Sequence, residues 1–330
     1  MKQVLLISSR TEEYYYMPFV KACEETGKVK MFVFDPSCYP TELRVNVVLD
    51  GERITGELDV LDYSLSKKTK ETIRIEEINT AWYLRADSPI PKKSASELEA
   101  RFARNESISA LDSIFSIVPC SWINRKETIK FLENKKLYQL MVAQRCGLKI
   151  PTTIVGNNEE EVIKFALAKN ILLLKTLGYT CLSSTKNYFI YSQIFSSNEL
   201  ITRRKSIRQC PIFSQEYIEK LYEYRVMVIG SKILACRIDS QASEKTKIDW
   251  RHYDFDKVEH LQVSLPIEIE EKLFAFMKMS DLKYGAIDLI LTPNGDFVFL
   301  EVNPSGQWGW LYDIARLPVP YTVSIMLEET

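Results

Sequence analysis

The sequence predicts a mixed α/β chain of three packed lobes: an N-terminal α/β lobe, a middle lobe from about Pro151 to Gln215, and a mostly antiparallel C-terminal lobe. Three observations predict this. The chain opens with two apolar runs, "QVLLIS" and "VKMFVF", on either side of a helical stretch around Phe19–Glu25, which is the pattern of a βαβ unit. From Tyr188 to Asp239 the text turns to strands: "YFIYSQIF", "PIFSQEYI", "YRVMVIG" and "KILACRID". With 330 residues, the chain is longer than one small core usually serves.

The remaining elements follow in order. "VNVVLDGERITGEL" carries Asp50-Gly51 between strand-like runs and predicts a hairpin. "TAWYLRAD" predicts a strand ending before Pro89 and Pro91. The charged stretches from Ser94 to about Phe115 and from Lys126 to Cys146 predict helices, the second stopped by Gly147. Asn157 or Asn158 caps a helix opened by Glu159-Glu160-Glu161, whose carboxylates suit the helix dipole. "NILLLKTLG" returns as a strand, Gly230-Ser231 joins two more, and the apolar stripe Ile267–Met277 predicts a core helix without a site.

Bulk composition excludes several function classes. A net charge of -1 gives no sign of a general nucleic-acid or membrane-surface protein, and no run reaches the roughly 18 apolar residues of a membrane span. The expectation is a soluble, cytoplasmic protein. Seven cysteines without a C-x-x-C pair suit reduced thiols better than disulfides, and zinc is disfavoured with only His252 and His260 to assist.

The chemistry gathers near "YGAIDLILTPNGDFVFLEVNPSGQWGW". Asn294-Gly295 between apolar runs predicts a two-residue hairpin loop. Counting outward from it pairs Thr292 with Phe297, Ile290 with Phe299 and Asp288 with Glu301. Asn303 then shares a face with Glu301. Opposed carboxylates repel, so three oxygen-bearing side chains in this apolar setting call for a cation between them, and an all-oxygen set suits Mg²⁺. The plainer alternative is a pair of strand-end acids bonded to nearby Lys or Arg.

Upstream text supplies the other needs of a nucleotide site. Lys175 ends an apolar strand before Gly178-Tyr179-Thr180 and Ser183, Ser184 and Thr185, a loop whose backbone N–H groups could cover phosphate oxygens. Glu216, Glu219 and Glu223 lie in and after a strand-to-strand linker that could offer its backbone to an adenine edge and a carboxylate to a ribose. Arg225, Arg237 and Arg251 suit phosphate and acyl-phosphate oxygens. Arg203, Arg204, Lys205 and Arg208 form a basic segment that could receive an acidic peptide, although such runs are commonly solvated faces.

The segments "FLEVNPSGQWGWL", "FSQEYIEKLYEYRVMVIG", "ACRIDSQ" and "DWR" together resemble the ATP-grasp ligases and, within them, the microviridin-type peptide maturases, also called graspetide synthetases. The most specific piece is the N-x-x-G-Q-W-x-W form of "NPSGQWGW". The resemblance extends with varying strength over most of the chain and is loosest in the first 90 residues. It implies an ATP-grasp fold divided at 1–123, 124–215 and 216–330, with nucleotide held between the latter two lobes. It also implies Asp288, Glu301 and Asn303 as Mg²⁺ ligands, and Lys136 (or its neighbour Lys135) and Lys175 as phosphate lysines. Glu216, Tyr217, Ile218 and Glu219 become the adenine linker, Glu223 the ribose carboxylate, and Arg237 a neighbour of the γ-phosphate. Arg225 and Arg251 line the reacting side, and Asp249 is the candidate proton acceptor.

The implied reaction is ATP-dependent ring closure in a ribosomal precursor peptide, with a leader and a core rich in Thr and Asp or Glu, carried out by a homodimer. An Asp or Glu side chain is activated as an acyl phosphate and joined to a Thr or Ser hydroxyl or a Lys amine. Two rival readings remain open at this level: an ATP-grasp carboxylate–amine ligase acting on small amino acids or peptides, and a non-catalytic ATP-binding regulatory protein.

Overall fold

The structure, a computed structural model, describes residues 1–63, 68–90, 96–178, 181–183 and 187–330; between 181 and 189 it describes only the backbone. The N-terminal lobe begins with the expected unit. β1 (Lys2–Ile7) and β2 (Val29–Phe34) are parallel and joined by α1 (Glu13–Thr26), which is longer than the Phe19–Glu25 stretch suggests. Gly27 ends α1 at φ 66, donating its N–H to the carbonyls of Cys23 and Glu24.

β3 (Val45–Asp50), β4 (Arg53–Asp62) and β5 (Thr69–Arg74) extend the sheet antiparallel, with Asp50 opposite Arg53 across the expected hairpin. β6 (Thr80–Tyr83) lies parallel on the other side of β1. α2 (Glu97–Ile117) is fixed at its start by a reciprocal pair, Glu99 N–H to Ser96 Oγ at 3.2 Å and Ser96 N–H to Glu99 Oε2 at 3.1 Å. Ser94, the expected start of this helix, falls outside the described residues. β7 (Ser121–Trp122) completes the sheet in the order β3-β4-β2-β1-β6-β7, with β5 on β4.

The helix expected from Lys126 to Cys146 is two helices, α3 (Lys126–Glu133) and α4 (Lys136–Arg145), broken at Asn134 and Lys135. Both lie on the C-terminal sheet: Leu132, Leu140, Val142 and Ala143 share a core with Phe276, Phe299 and Val302. Residues 126–145, grouped above with the central lobe, thus pack with the other partner.

The central sheet has the order β12-β9-β13-β8, all neighbours antiparallel, from β8 (Thr153–Gly156), β9 (Ile171–Lys175), β12 (Gln193–Ser196) and β13 (Ile212–Glu216). Between β9 and β12, β10 (Cys181–Ser183) and β11 (Asn187–Phe189) form a separate hairpin. Asn158 caps α5 (Glu159–Lys169), accepting the N–H groups of Glu160 and Glu161. The segment expected to be mostly strands is interrupted by α6 (Ser197–Thr202) and α7 (Arg204–Ile207). Its basic side chains are partly spent internally, because Arg204 and Arg208 both bind Glu159, at 2.8 and 3.0 Å, and Arg203 lies over the Phe195 ring.

The C-terminal sheet is antiparallel in the order β16-β15-β14-β17-β18, from β14 (Tyr222–Ile229), β15 (Lys232–Ile238), β16 (His260–Val263), β17 (Tyr284–Leu291) and β18 (Phe297–Asn303). α8 (Ile267–Met279) covers one face, its Leu273, Phe276 and Met277 meeting Val226, Val228 and Ile287. The other face carries Met227, Cys236, Tyr284 and Ala286 into the N-terminal lobe. There Phe19 stacks between Trp82 and Trp308, with ring centres 5.4 and 4.9 Å away. After α9 (Gly309–Asp313), α10 (Val319–Glu329) closes the same core against α1. No helix among the described residues is long and apolar enough to cross a membrane.

Candidate active site

Asp288 stands opposite Glu301, as the sequence predicts, but by a different route. The loop has three residues: Thr292 N–H donates to Asp296 O at 3.0 Å, Gly295 N–H donates to Thr292 O at 2.9 Å, and Gly295 has φ 84. Leu291, not Thr292, therefore faces Phe297, and Ile290 faces Val298 rather than Phe299. A bulge at Leu300 then restores the Asp288–Glu301 pairing. It also turns Leu300 and Glu301 together into the cleft while Phe299 and Val302 stay in the core.

Arg225 of β14 is opposite Asp288 on its other side, so Arg225, Asp288 and Glu301 form one row on one face of the sheet. Arg225 Nη1 donates to both Asp288 oxygens, at 2.9 and 3.1 Å, and Nη2 donates to Gln307 O at 3.3 Å. Lys136 Nζ reaches Glu301 Oε2 at 3.1 Å, and the Asn303 amide lies 3.5 Å from Asp288 Oδ2. The two carboxylate side chains are only 13% and 24% exposed, so each keeps an edge on solvent and is otherwise enclosed. Burial pushes the Asp288 carboxyl up, Arg225 pulls it down, and the neighbouring Glu301 charge adds to the rise. Burial acts the same way on Glu301 but is outweighed by Lys136, Lys175 and Arg251, which hold it at about 2. Burial pushes Lys175 down to about 8, with Lys136 and Arg251 adding to the effect against Glu301.

This row is a wall between two cavities. A narrow cleft opens towards the central lobe, lined by Lys136, Lys175, Tyr217, Ile218, Glu223 and Asp249 among others. A wider cavity of about 550 Å³ opens towards the N-terminal lobe, lined by Arg85, Glu133, Arg225, Asn303, Gln307 and Trp310 among others. Trp250, Arg251, Asp288 and Glu301 border both.

Several expected residues are placed otherwise. Arg237 is opposite Tyr224, one position out of phase with Arg225; it points to the α8 face, over the Tyr222 ring and 3.5 Å from Glu259, and borders neither cavity. Glu219 is exposed and turned out of the cleft. Glu216 borders the cleft, but its carboxylate is tied to Lys169 at 2.6 Å and to Thr152 at 2.8 Å. Asp249, the candidate proton acceptor, is doubly bonded by Arg251 and receives Ser192 N–H at 3.3 Å. Although burial raises it, Arg251 wins and holds it at about 2, too weak a base for that task at neutral pH. Of the expected phosphate loop, Tyr179, Thr180, Ser184 and Thr185 lie outside the described residues.

Other contributors were missed. Lys220 and Glu223 form a buried pair at 2.6 Å, each side chain 6% exposed, with Lys220 also bonded to Ile248 O at 3.1 Å. Burial raises Glu223, opposed by Lys220. Their i, i+3 spacing was the available signal. Gln139 is buried on α4, donating to Leu132 O at 2.8 Å and Val302 O at 3.1 Å and accepting Val302 N–H at 2.9 Å. A glutamine on the apolar face of a helix was its signal. Arg85 sits at φ 52 and grips Glu12 at 2.5 and 3.1 Å, which no feature of the local sequence announces.

The G-Q-W-x-W segment acquires a physical account here. A Cβ on Gly306 would collide with the Ala286 side chain and crowd Arg225 Nη2 at 3.0 Å. Gln307 lends its carbonyl to Arg225, Trp308 stacks on Phe19, and Trp310 packs 5.0 Å from Trp250.

The architecture defines an ATP-grasp fold. Over 100% of this chain and 98% of the other, it is similar to a RiPP-associated ATP-grasp ligase of Chryseobacterium gregarium, in complex with ADP and a leader and core peptide, at 24% identity and TM-score 0.84. The macrocyclase MdnC of Microcystis aeruginosa MRC, bound with precursor peptide MdnA, matches 99% of this chain and 100% of its own at 24% identity and TM-score 0.81. The ATP-grasp ligase PsnB, complexed with minimal precursor, Mg and ADP, matches 98% and 96% at 16% identity and TM-score 0.73. No protein-family model and no curated protein sequence matches the chain.

Proposed function

We propose that this chain is an ATP- and Mg²⁺-dependent ligase that closes rings in a ribosomally made precursor peptide. It activates Asp or Glu side-chain carboxylates as acyl phosphates and joins them to Thr or Ser hydroxyls, or to Lys amines. The observation that carries the reading is the shared wall: Trp250, Arg251, Asp288 and Glu301 border both the cleft that holds Lys136, Lys175 and Glu223 and a wider cavity with room for a peptide segment. Phosphoryl transfer needs donor and acceptor oxygens held in line beside charges that stabilise the transferring group, and a charged row bordering both spaces can serve both.

Asp288, Glu301 and Asn303 would hold Mg²⁺. Their chemistry fits it, because two opposed carboxylates and the Asn303 amide, once its oxygen rather than the Nδ2 now facing Asp288 is turned inward, are an all-oxygen set that leaves positions for phosphate and water. When bound, the ion would neutralise charge on the transferring phosphoryl group. The chain's own side chains do the rest. Lys136 and Lys175 bind phosphate oxygens, the Tyr217–Ile218 backbone receives the adenine edge, and Glu223, steadied by Lys220, accepts the ribose hydroxyls. Arg225 and Arg251, which border the wider cavity, orient the peptide carboxylate and offset charge as its acyl phosphate forms. A precursor with a leader and a Thr- and Asp/Glu-rich core is the partner in this reading, supported by the peptides bound to the similar proteins.

The test is intact mass spectrometry of a candidate precursor incubated with this protein, ATP and Mg²⁺, beside an Asn303→Ala control. The expected result is loss of one water, about 18 Da, per ring, absent in the control. Unchanged peptide mass with ADP still released would replace this reading with ligation of a small carboxylate. Neither change would favour nucleotide binding without catalysis.

A further inference from the structure

A hydroxyl nucleophile must lose its proton as it attacks, and the wider cavity narrows the choice of acceptor. Five carboxylates border it: Glu12, Asp87, Glu133, Asp288 and Glu301. Asp288 and Glu301 are committed to Arg225 and Lys136. Glu12 is gripped through both oxygens by Arg85, and Asp87 accepts the Thr11 hydroxyl at 3.1 Å. Among the described residues Glu133 receives no hydrogen bond and makes no ion pair; it is exposed, and Arg85 and Lys130 act on it from a distance.

Glu133 also lines the same cavity as the reacting row. It is the last residue of α3, and its neighbour Leu132 is tied through the Gln139 amide to the backbone of Val302, between Glu301 and Asn303. It faces Arg85, Lys130 and the Tyr83 ring, with Glu12 behind Arg85. Glu133 keeps much of its surface in solvent, and the partial enclosure on its cavity side raises its carboxyl against the pull of Arg85 and Lys130, whereas Arg251 holds Asp249 at about 2.

We propose that Glu133 is the catalytic base for ring closure, an inference that rests on the ring-closing reading above. The Thr or Ser Oγ bonds to the acyl-phosphate carbonyl carbon while its proton passes to a Glu133 carboxylate oxygen. The carbon–oxygen bond to phosphate breaks, and phosphate leaves with the electron pair. The products are an ester, inorganic phosphate and protonated Glu133, which returns its proton to solvent.

The experiment separates the two halves of the reaction, using a Thr- and Glu-containing precursor with its leader, ATP and Mg²⁺, with and without hydroxylamine. Hydroxylamine attacks an acyl phosphate without a protein base. For Glu133→Gln, the expected result is hydroxamate formation at the wild-type rate and ring closure slowed about 100-fold. Glu133→Asp should recover part of the closure rate. Ring closure by Glu133→Gln at the wild-type rate, or equal loss of hydroxamate and ring, overturns the proposal while the ring-closing reading stands. A wild-type protein that releases ADP or forms hydroxamate but closes no ring overturns both.

Discussion

Lys175 carries a sharp prediction about nucleotide binding. Its ammonium ion is enclosed and shares its surroundings with Lys136 and Arg251, so burial and like charge bring it down from 10.5 to about 8 despite Glu301. If nucleotide phosphate becomes its counter-ion, the charged form is favoured on binding. The bound complex then takes up a proton wherever the free protein has lost one. From a free-state value of about 8, ADP affinity without divalent metal should fall about eightfold between about pH 7.5 and pH 9, provided the bound ammonium stays charged.

Titration calorimetry in two buffers of different ionisation heat measures both the affinity and the proton uptake. Arg stays charged throughout this range, so Lys175→Arg should flatten the profile with binding retained; Lys175→Met should flatten it at weaker affinity. The sign for stability is opposite. Folding lowers this Lys, so between about 8 and 10.5 the unfolded chain binds the extra proton, and the group's contribution to stability rises with pH across that window. Wild-type affinity that is equal at both pH values, with no proton uptake, would refute the placement of phosphate beside Lys175.

Three further perturbations test the framework around the row. Asp288→Asn leaves the Arg225 guanidinium, 7% exposed, without its charged partner, and should cost about 3 kcal/mol in urea unfolding. A gain in stability would instead mean that Asp288–Glu301 repulsion dominates. Gln139→Leu removes the bonds to Leu132 and Val302 and strands their backbone groups, which should cost about 2 kcal/mol. An unchanged denaturation midpoint would show that water replaces the amide. Gly306→Ala drives a methyl into Ala286 and should cost about 2 kcal/mol; adding Ala286→Gly should recover part of it, and no recovery would place the strain elsewhere.

The large features were legible because period and turn chemistry act locally. "QVLLI" and "VKMFVF" needed only their apolar runs to be paired, and Asn158 needed only its side-chain oxygen to cap α5. What failed was phase. Arg237 looked equivalent to Arg225 in the text, but Arg225 is opposite Cys236 whereas Arg237 is opposite Tyr224, and that one-residue difference in phase sends Arg237 through the sheet to the α8 face. Residues 126–145 were grouped with the lobe that follows them, whereas their apolar side chains pack on a sheet whose last strands form more than a hundred residues later. Such contacts depend on chain return, which local periodicity does not encode.

The hairpin shows why a correct contact can rest on an incomplete derivation. Counting from a two-residue loop reaches Asp288 opposite Glu301, and so does the actual three-residue loop, because the bulged Leu300 adds on β18 the position that the longer turn removes. The parity of the carboxylates survives while the intervening pairs change. The difference matters for the chemistry: a regular ladder would send Leu300 to the opposite face from Glu301, whereas the bulge brings both to the cleft. The apolar side chain then borders the cleft beside the row of charges, where excluding water strengthens the attraction between Glu301 and Lys136 that holds the carboxylate ionised.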